Sequence, residues 1–207
     1  MRLVILGGSG SGKSTQAQRL CRYFDIPMIS TGEILRGAIS GDSLFPELQW
    51  SEADPRTSLS VYASLSELGY HARPYMQKGE LVPDEMIIEL IRIRLRQPDI
   101  NGDWVLEGYP RTAFQAEELD FLLDNLEQRL DRAIYLQVSE AVMVSRSLGR
   151  SLPDDQPEIV QRRVELFYDR TIPILEYYDR RRSLLTINGD QSPDMVQQNI
   201  LTLLSVP

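Results

Sequence analysis

Cysteine and histidine are almost missing: this chain of 207 residues has one of each, Cys21 and His71. A lone thiol makes no internal disulfide, so the fold is not a cross-linked secreted scaffold, and the cytoplasm is the expected compartment. Zinc sites built on histidine or cysteine clusters are excluded. Nothing favours a Ser-His-Asp triad. Lysine is scarce as well, with only Lys13 and Lys78, and every other basic residue is arginine. Arginine's planar fork suits two-point binding of phosphate. Positive charge is in deficit, the net charge being −8, which argues against sequence-blind nucleic-acid binding. No apolar run approaches the ~20 residues that span a bilayer, so no membrane partner is expected. The start, Met1-Arg2-Leu3-Val4-Ile5-Leu6, is too short for a signal-peptide core and reads as a first strand. The chain is expected to be soluble and unprocessed.

What is present is ordinary for a globular protein, 42% hydrophobic and 25% charged residues. At this length a fold buries about two-thirds of the surface its unfolded chain exposes. Short apolar runs at Leu3–Leu6, Ile26–Ile29, Trp104–Leu106, Ala133–Val138 and Leu184–Ile187 read as strands. Helical periodicity marks Ser14–Tyr23, Asp84–Leu95, Thr112–Leu126 and Ser139–Leu148. Alternation of this kind predicts an α/β fold, a parallel sheet covered by helices on both faces. Asp84 is the expected N-cap of its helix, and Thr112-Ala113-Phe114-Gln115 fits a capping box. Pro173 predicts an interruption or a kink near Thr171 in the long segment Glu158–Arg182. Cys21 falls in the first helix, where packing is its expected role. Ser40–Ser64, with Gly41, Pro46, Pro55 and six serines, reads as an irregular excursion from one core.

The strongest motif is Gly7-Gly8-Ser9-Gly10-Ser11-Gly12-Lys13-Ser14-Thr15, directly after a strand and before a helix. It fits the phosphate loop G-x-x-x-x-G-K-[ST]. Glycines let backbone N–H groups turn inward around phosphate oxygens, and the helix that follows adds its positive end. Lys13 can reach terminal phosphates, and the Ser14 or Thr15 hydroxyl lies where a magnesium-associated oxygen is wanted. A nucleoside triphosphate is the expected ligand. Glu107 and Arg111 follow an apolar strand, at the carboxyl edge where open α/β sheets bind ligands. Arg36 follows Gly32 by four residues, and Arg146 and Arg150 are four apart, on one helical face.

Three further blocks extend the pattern: Ile29-Ser30-Thr31-Gly32-Glu33-Ile34-Leu35-Arg36, Lys78-Gly79-Glu80-Leu81-Val82-Pro83-Asp84 and Leu106-Glu107-Gly108-Tyr109-Pro110-Arg111-Thr112. With the phosphate loop they resemble the adenylate kinase family, whose usual forms are G-x-P-G-x-G-K-G-T, I-S-T-G-D-x-L-R, G-x-L-V-x-D and D-G-F-P-R-T. The resemblance covers roughly nine-tenths of the chain. It implies a P-loop NTPase-like sheet of five parallel strands, with a small helical monophosphate-binding lobe and a short lid. The core would be 1–29, 83–148 and 156–207, the lobe 30–82 and the lid 149–155.

The activity implied is Mg²⁺-dependent, reversible phosphoryl transfer from ATP to AMP by a monomer. On the family pattern Gly8, Ser9, Gly10, Ser11, Gly12, Lys13, Ser14 and Thr15 hold ATP, with Arg146 and Arg150 on its phosphates. The Ile187-Asn188-Gly189-Asp190-Gln191 turn borders its adenine. Thr31, Gly32, Arg36, Glu80, Leu81, Val82, Gly108, Arg111 and Gln115 form the AMP side, where Thr31 and Gln115 read the base. Arg163 contacts the transferred phosphoryl and the acceptor. Asp154 and Asp155 order the lid, or cap the helix that follows. Ser14 and Glu107 place Mg²⁺ through waters. Two alternatives stay open: a kinase for CMP, UMP or GMP, and a catalytically weak nucleotide-binding module.

The chain departs from the family at four places. Ser14 replaces a glycine, and Glu107 an aspartate. Leu152 stands where short-lid members carry an arginine. An insertion of roughly 41–64 lies in the monophosphate lobe, expected to be a surface elaboration carrying Phe45, Trp50 and Tyr62.

Overall fold

The apolar start of the chain forms strand β1 (Arg2–Leu6), and its partners come from far along the sequence. The structure, a computed structural model, describes residues 1–40, 67–100, 102–150 and 155–205. The expected insertion and the lid residues Leu152, Pro153 and Asp154 lie outside the described residues. Strands β2 (Met28–Ser30), β3 (Trp104–Glu107), β4 (Arg132–Gln137) and β5 (Leu184–Asn188) complete a parallel sheet in the order β2-β3-β1-β4-β5. These are the five strands read from the apolar runs. The second begins at Met28 rather than Ile26, because Pro27 has no N–H to give the ladder.

Period-two alternation explains why the middle of the sheet is apolar on both faces. Val4, Leu6, Trp104, Leu106, Ala133 and Tyr135 point into one core, while Leu3, Ile5, Val105, Ile134, Leu136 and Ile187 point into the other. Each face therefore needs its own cover of helices. Helices α1 (Lys13–Phe24) and α9 (Pro193–Leu204) cover the second face through Ala17, Leu20, Val196 and Ile200. Cys21 packs there, half-buried, and desolvation pushes its thiol up to about 11, which suits a packing role over a reactive one. Helices α4 (Asp84–Leu95), α5 (Ala113–Asn125), α6 (Glu140–Leu148), α7 (Pro157–Leu166) and α8 (Ile172–Arg180) supply the first face. Helix α2 (Thr31–Ser40) follows β2 directly, and its Ile34 and Leu35, with Ala72 of a helix α3 described over 67–77, join the first core.

One expectation about helix ends changes, and a second takes a specific form. Pro83 occupies the cap position of α4 and Asp84 is the first helical residue, making no cap bond. Proline's fixed φ turns the chain into the helix, which frees the Asp84 carboxylate for another partner. Near Pro173 the α-helix is interrupted as expected, by a change of helix type. A π-helical turn, Phe167–Thr171, joins α7 to α8, with Pro173 in the first turn of α8. A proline there asks for no backbone donor, so the register widens instead of ending. Among the described residues no helix is long and apolar enough to cross a membrane.

Candidate active site

Strand β1 lies at the centre of the sheet, between β3 and β4, and the loop leaving its carboxyl end runs straight into α1. Gly12 takes the cap position with φ 96°, and Gly10 sits at φ +79°. A β-carbon at Gly10 would also collide with the Met143 carbonyl. Glycine is therefore required there twice over, by its dihedral and by the closeness of α6. Lys13 folds back over this loop and donates to the Gly8 carbonyl at 2.7 Å. Burial pushes its pKa down to about 8; Glu107 opposes that, while Arg111, Arg150 and Arg163 add to it. A bound polyphosphate would restore the charged form. ATP binding should then take up close to one proton at pH 9 and almost none at pH 6.5, and affinity should fall as pH rises above 8. Calorimetry in buffers of different ionisation enthalpy reads this directly. Equal uptake at both pH values, or uptake that persists in Lys13→Met, contradicts the assignment.

The phosphate loop opens onto a cavity of about 740 Å³. It is lined by the loop Gly8–Thr15, the Thr31, Gly32 and Arg36 group, Glu80, Leu81 and Val82, Glu107, Gly108 and Arg111, and Gln115, Arg146, Arg150 and Arg163, while of the Ile187–Gln191 turn only Gly189 and Gln191 reach it. Glu107 ends β3, buried, and its Oε1 accepts a bond from the Ser30 hydroxyl at the end of β2. Gly108 follows at φ +85°, where a β-carbon would overlap the Thr31 hydroxyl, so the two walls nearly touch. Arg111 has its backbone N–H held by Gln115 Oε1 at 2.7 Å and its carbonyl by the Thr171 hydroxyl at 3.0 Å. Its Nε donates to the Gly108 carbonyl at 2.9 Å. Desolvation lowers its pKa, with Arg163 and Arg36 adding repulsion and Glu107 opposing it.

The arginine pair of α6 does not share one face. The helix ends at Leu148 with Gly149 as C-cap, so Arg150 lies beyond it. Arg146 turns to the Gly189 carbonyl at 3.0 Å and Asp190 at 3.1 Å, beside the turn after β5. Arg150 turns the other way, to Ser9 Oγ at 3.0 Å and to both oxygens of Asp155 at 2.9 and 3.2 Å. Asp155 also accepts from Arg163 at 3.4 Å, with its side chain only 1% exposed. It makes no helix cap, since Gln156 holds that position before α7.

Three partners were not anticipated. Arg162 donates to both carboxylate oxygens of Glu80, at 2.8 and 3.2 Å, tying the segment before α4 to α7. Glu33 lines the cavity beside Glu107, its pKa raised by burial and then by that neighbour, with Arg36 opposing. Thr171 braces Arg111 from the π-helical turn, and the Pro173 signal was the one pointer to it in the sequence. Of the capping box, only half forms. Thr112 Oγ1 accepts from the Gln115 N–H at 3.1 Å, but the Gln115 side chain bonds Arg111 and Asp84 instead.

A central phosphate loop facing a ring of arginines across one cleft defines a phosphotransferase of the P-loop class, acting at the carboxyl edge of a parallel sheet. Comparison with known proteins narrows the class. The adenylate kinase family model matches residues 59–183, and that of the AAA domain matches residues 6–64. Over 206 residues, all of both chains, the sequence is 73% identical to adenylate kinase 2 of Nostoc sp.. It is 48% identical over 204 residues to adenylate kinase 2 of Synechocystis sp., covering 99% of this chain and 100% of that one. It is 39% identical over 203 residues to adenylate kinase 1 of Nostoc sp., covering 98% of each. The chain belongs to the adenylate kinase family. It is an enzyme, a nucleoside monophosphate kinase, and phosphoryl transfer is favoured over a purely regulatory nucleotide-binding role.

Proposed function

We propose that the cavity holds ATP along the phosphate loop and AMP against α2, and passes the γ-phosphoryl directly between them to give two ADP. The observation that carries this reading is the convergence of Lys13, Arg111, Arg150 and Arg163 on a single cavity with a wall for a base at each end. One wall is Thr31, Leu35, Val82 and Gln115; the other is Gly189, Gln191, Pro193 and Val196. Arg146, held against the Gly189–Asp190 turn, borders the ATP base on this reading rather than the γ-phosphate. Arg36 and Arg111 hold the AMP phosphate, and Lys13 and Arg150 the ATP phosphates.

Ser14 and Glu107 fit a magnesium ion. Both line the cavity, and the Ser30 bond to Glu107 Oε1 leaves the other carboxylate oxygen for a water of a hydrated cation. Hard oxygen donors, few in number, suit an ion that keeps most of its waters. When bound, Mg²⁺ supplies charge neutralisation on the β- and γ-phosphates. The rest falls to the chain. The AMP phosphate arrives already ionised, so no residue acts as general base. Lys13 and the arginines hold both phosphates in line and neutralise the charge spread over the transferred group. Residues 30–82 act as a lobe and 149–155 as a lid, closing over the core to exclude water. The enzyme works as a monomer in the cytoplasm.

A coupled assay with ATP and AMP, CMP, UMP or GMP in turn tests the acceptor. AMP should lead by at least ~10²-fold in kcat/KM, since a base site with buried hydrogen-bonding groups rejects mismatched partners strongly. A preference for any other acceptor overturns the AMP assignment.

A further inference from the structure

Gln115 is a buried amide, 2% exposed, in the wall of the acceptor end of the cavity. An amide can sit either way round, and only its partners decide which end is oxygen. Here the partners leave no choice. The Arg111 backbone N–H can only donate, and it meets Oε1 at 2.7 Å. The Asp84 carboxylate can only accept, and it meets Nε2 at 2.7 Å. The backbone of Gln115 is fixed as well, its N–H on Thr112 Oγ1 at 3.1 Å and its carbonyl under the Tyr109 hydroxyl at 2.9 Å.

We infer that Asp84, the first residue of α4, is a positioning residue that sets the orientation of the Gln115 amide and so makes the acceptor site read amino bases and reject oxo bases. The inference rests on the reading of this end of the cavity as the acceptor-nucleotide site. With one lone pair committed to Arg111 and one N–H to Asp84, the amide keeps one N–H and one lone pair for a ligand. A donor beside an acceptor matches a base edge that presents a ring nitrogen beside an exocyclic amino group, as adenine and cytosine do. Guanine, hypoxanthine and uracil present a ring N–H beside a carbonyl. Against the fixed amide they set donor against donor and acceptor against acceptor, which leaves buried groups unpaired. Turning the amide over would accommodate them, but it would point Oε1 at the Asp84 carboxylate and Nε2 at the Arg111 N–H. The carboxylate blocks that turn by electrostatic repulsion, from a residue that itself need not touch the nucleotide.

The test compares kcat/KM for AMP and IMP, with ATP saturating, in the wild type, Asp84→Asn and Asp84→Ala. These acceptors share phosphate and ribose and differ at the base edge alone. Asp84→Asn keeps an oxygen for Nε2, so that with the Arg111 N–H on Oε1 two partners still hold the amide, and the AMP-to-IMP ratio should stay within about threefold of wild type. Asp84→Ala removes the partner of Nε2 and leaves the Arg111 N–H alone to oppose the turn, and the ratio should fall by about tenfold or more, mostly through KM, with KM for ATP unchanged. An Asp84→Ala variant that loses activity on both acceptors equally, at an unaltered ratio, overturns the inference and leaves Asp84 a structural residue of α4. Should that variant not fold, Asp84→Ser serves in its place; its oxygen ends one bond short of the carboxylate's, and the same ratio decides. A wild type that does not distinguish AMP from IMP would instead remove the underlying base-reading assignment, whatever the variants do.

Discussion

Lys13→Ala should lower turnover by about 10²–10³-fold, in both directions of the reaction, while the fold survives. The magnitude follows from removing a preorganised charge aimed at developing negative charge in a water-poor site. In the free protein the ammonium is parked on the Gly8 carbonyl, 2.7 Å away, within the loop that the phosphates would occupy. Burial holds its pKa down at about 8, so the charged form is costly until an anion arrives. A group kept in that condition contributes to function at the expense of stability. Removing it should therefore leave the melting temperature unchanged or slightly higher, provided the loop glycines are intact. AMP binding is expected to stay within about twofold, because the acceptor groups lie on other elements. Stopped assays over single turnovers would separate loss of the transfer step from loss of ATP binding. Turnover within tenfold of wild type would show that the phosphate loop works here without its lysine.

The parts of this site that could be read along the chain are those whose chemistry is local. A phosphate loop is nine consecutive residues, and its cradle needs only glycine freedom and the start of one helix. Strands buried on both faces announce themselves as apolar runs, and the two interleaved cores confirm why no polar alternation appears in Leu3–Leu6. What escaped was set by tertiary partners. The Arg146 and Arg150 spacing of four means a shared face only while the helix lasts, and α6 stops at Leu148. Glu80 looks like a ligand-facing residue of its motif until Arg162, about eighty residues on, takes both its oxygens. Asp84 looks like an N-cap until Pro83 takes that place and Gln115 reaches across from α5. Arg146, Arg150 and Glu80 line the cavity, Asp84 lies behind it, and for all of them long-range hydrogen bonding sets the partner that local spacing does not reveal.

Arg111→Ala carries the second large effect, a loss of at least ~10²-fold in kcat with KM for ATP little changed. Arg111 differs from the other cleft arginines in how completely its backbone is held. Gln115 Oε1 takes its N–H, Thr171 holds its carbonyl, and its own Nε closes back on Gly108. Those three bonds come from α5, the π-helical turn and the end of β3, so the guanidinium is aimed before either nucleotide binds. Preorganisation of this kind acts on the transition state more than on ground-state binding, which is why kcat should fall further than affinity. Arg111→Lys should recover less than tenfold, since a point charge cannot bridge donor and acceptor phosphates as a planar fork does. The same cleft argues that the loss is not one of folding. Desolvation, with Arg163 and Arg36 close by, already disfavours the Arg111 charge in the free protein, and Glu107 only partly offsets them. Truncation should thus leave thermal stability equal or higher in the free enzyme, while the stabilisation gained on adding a bisubstrate analogue shrinks. A variant that keeps more than a tenth of wild-type turnover, or one that loses turnover only because it melts, would place the bridging charge on another residue, with Arg163 the next in reach of Asp155 and the phosphate loop's side of the cleft.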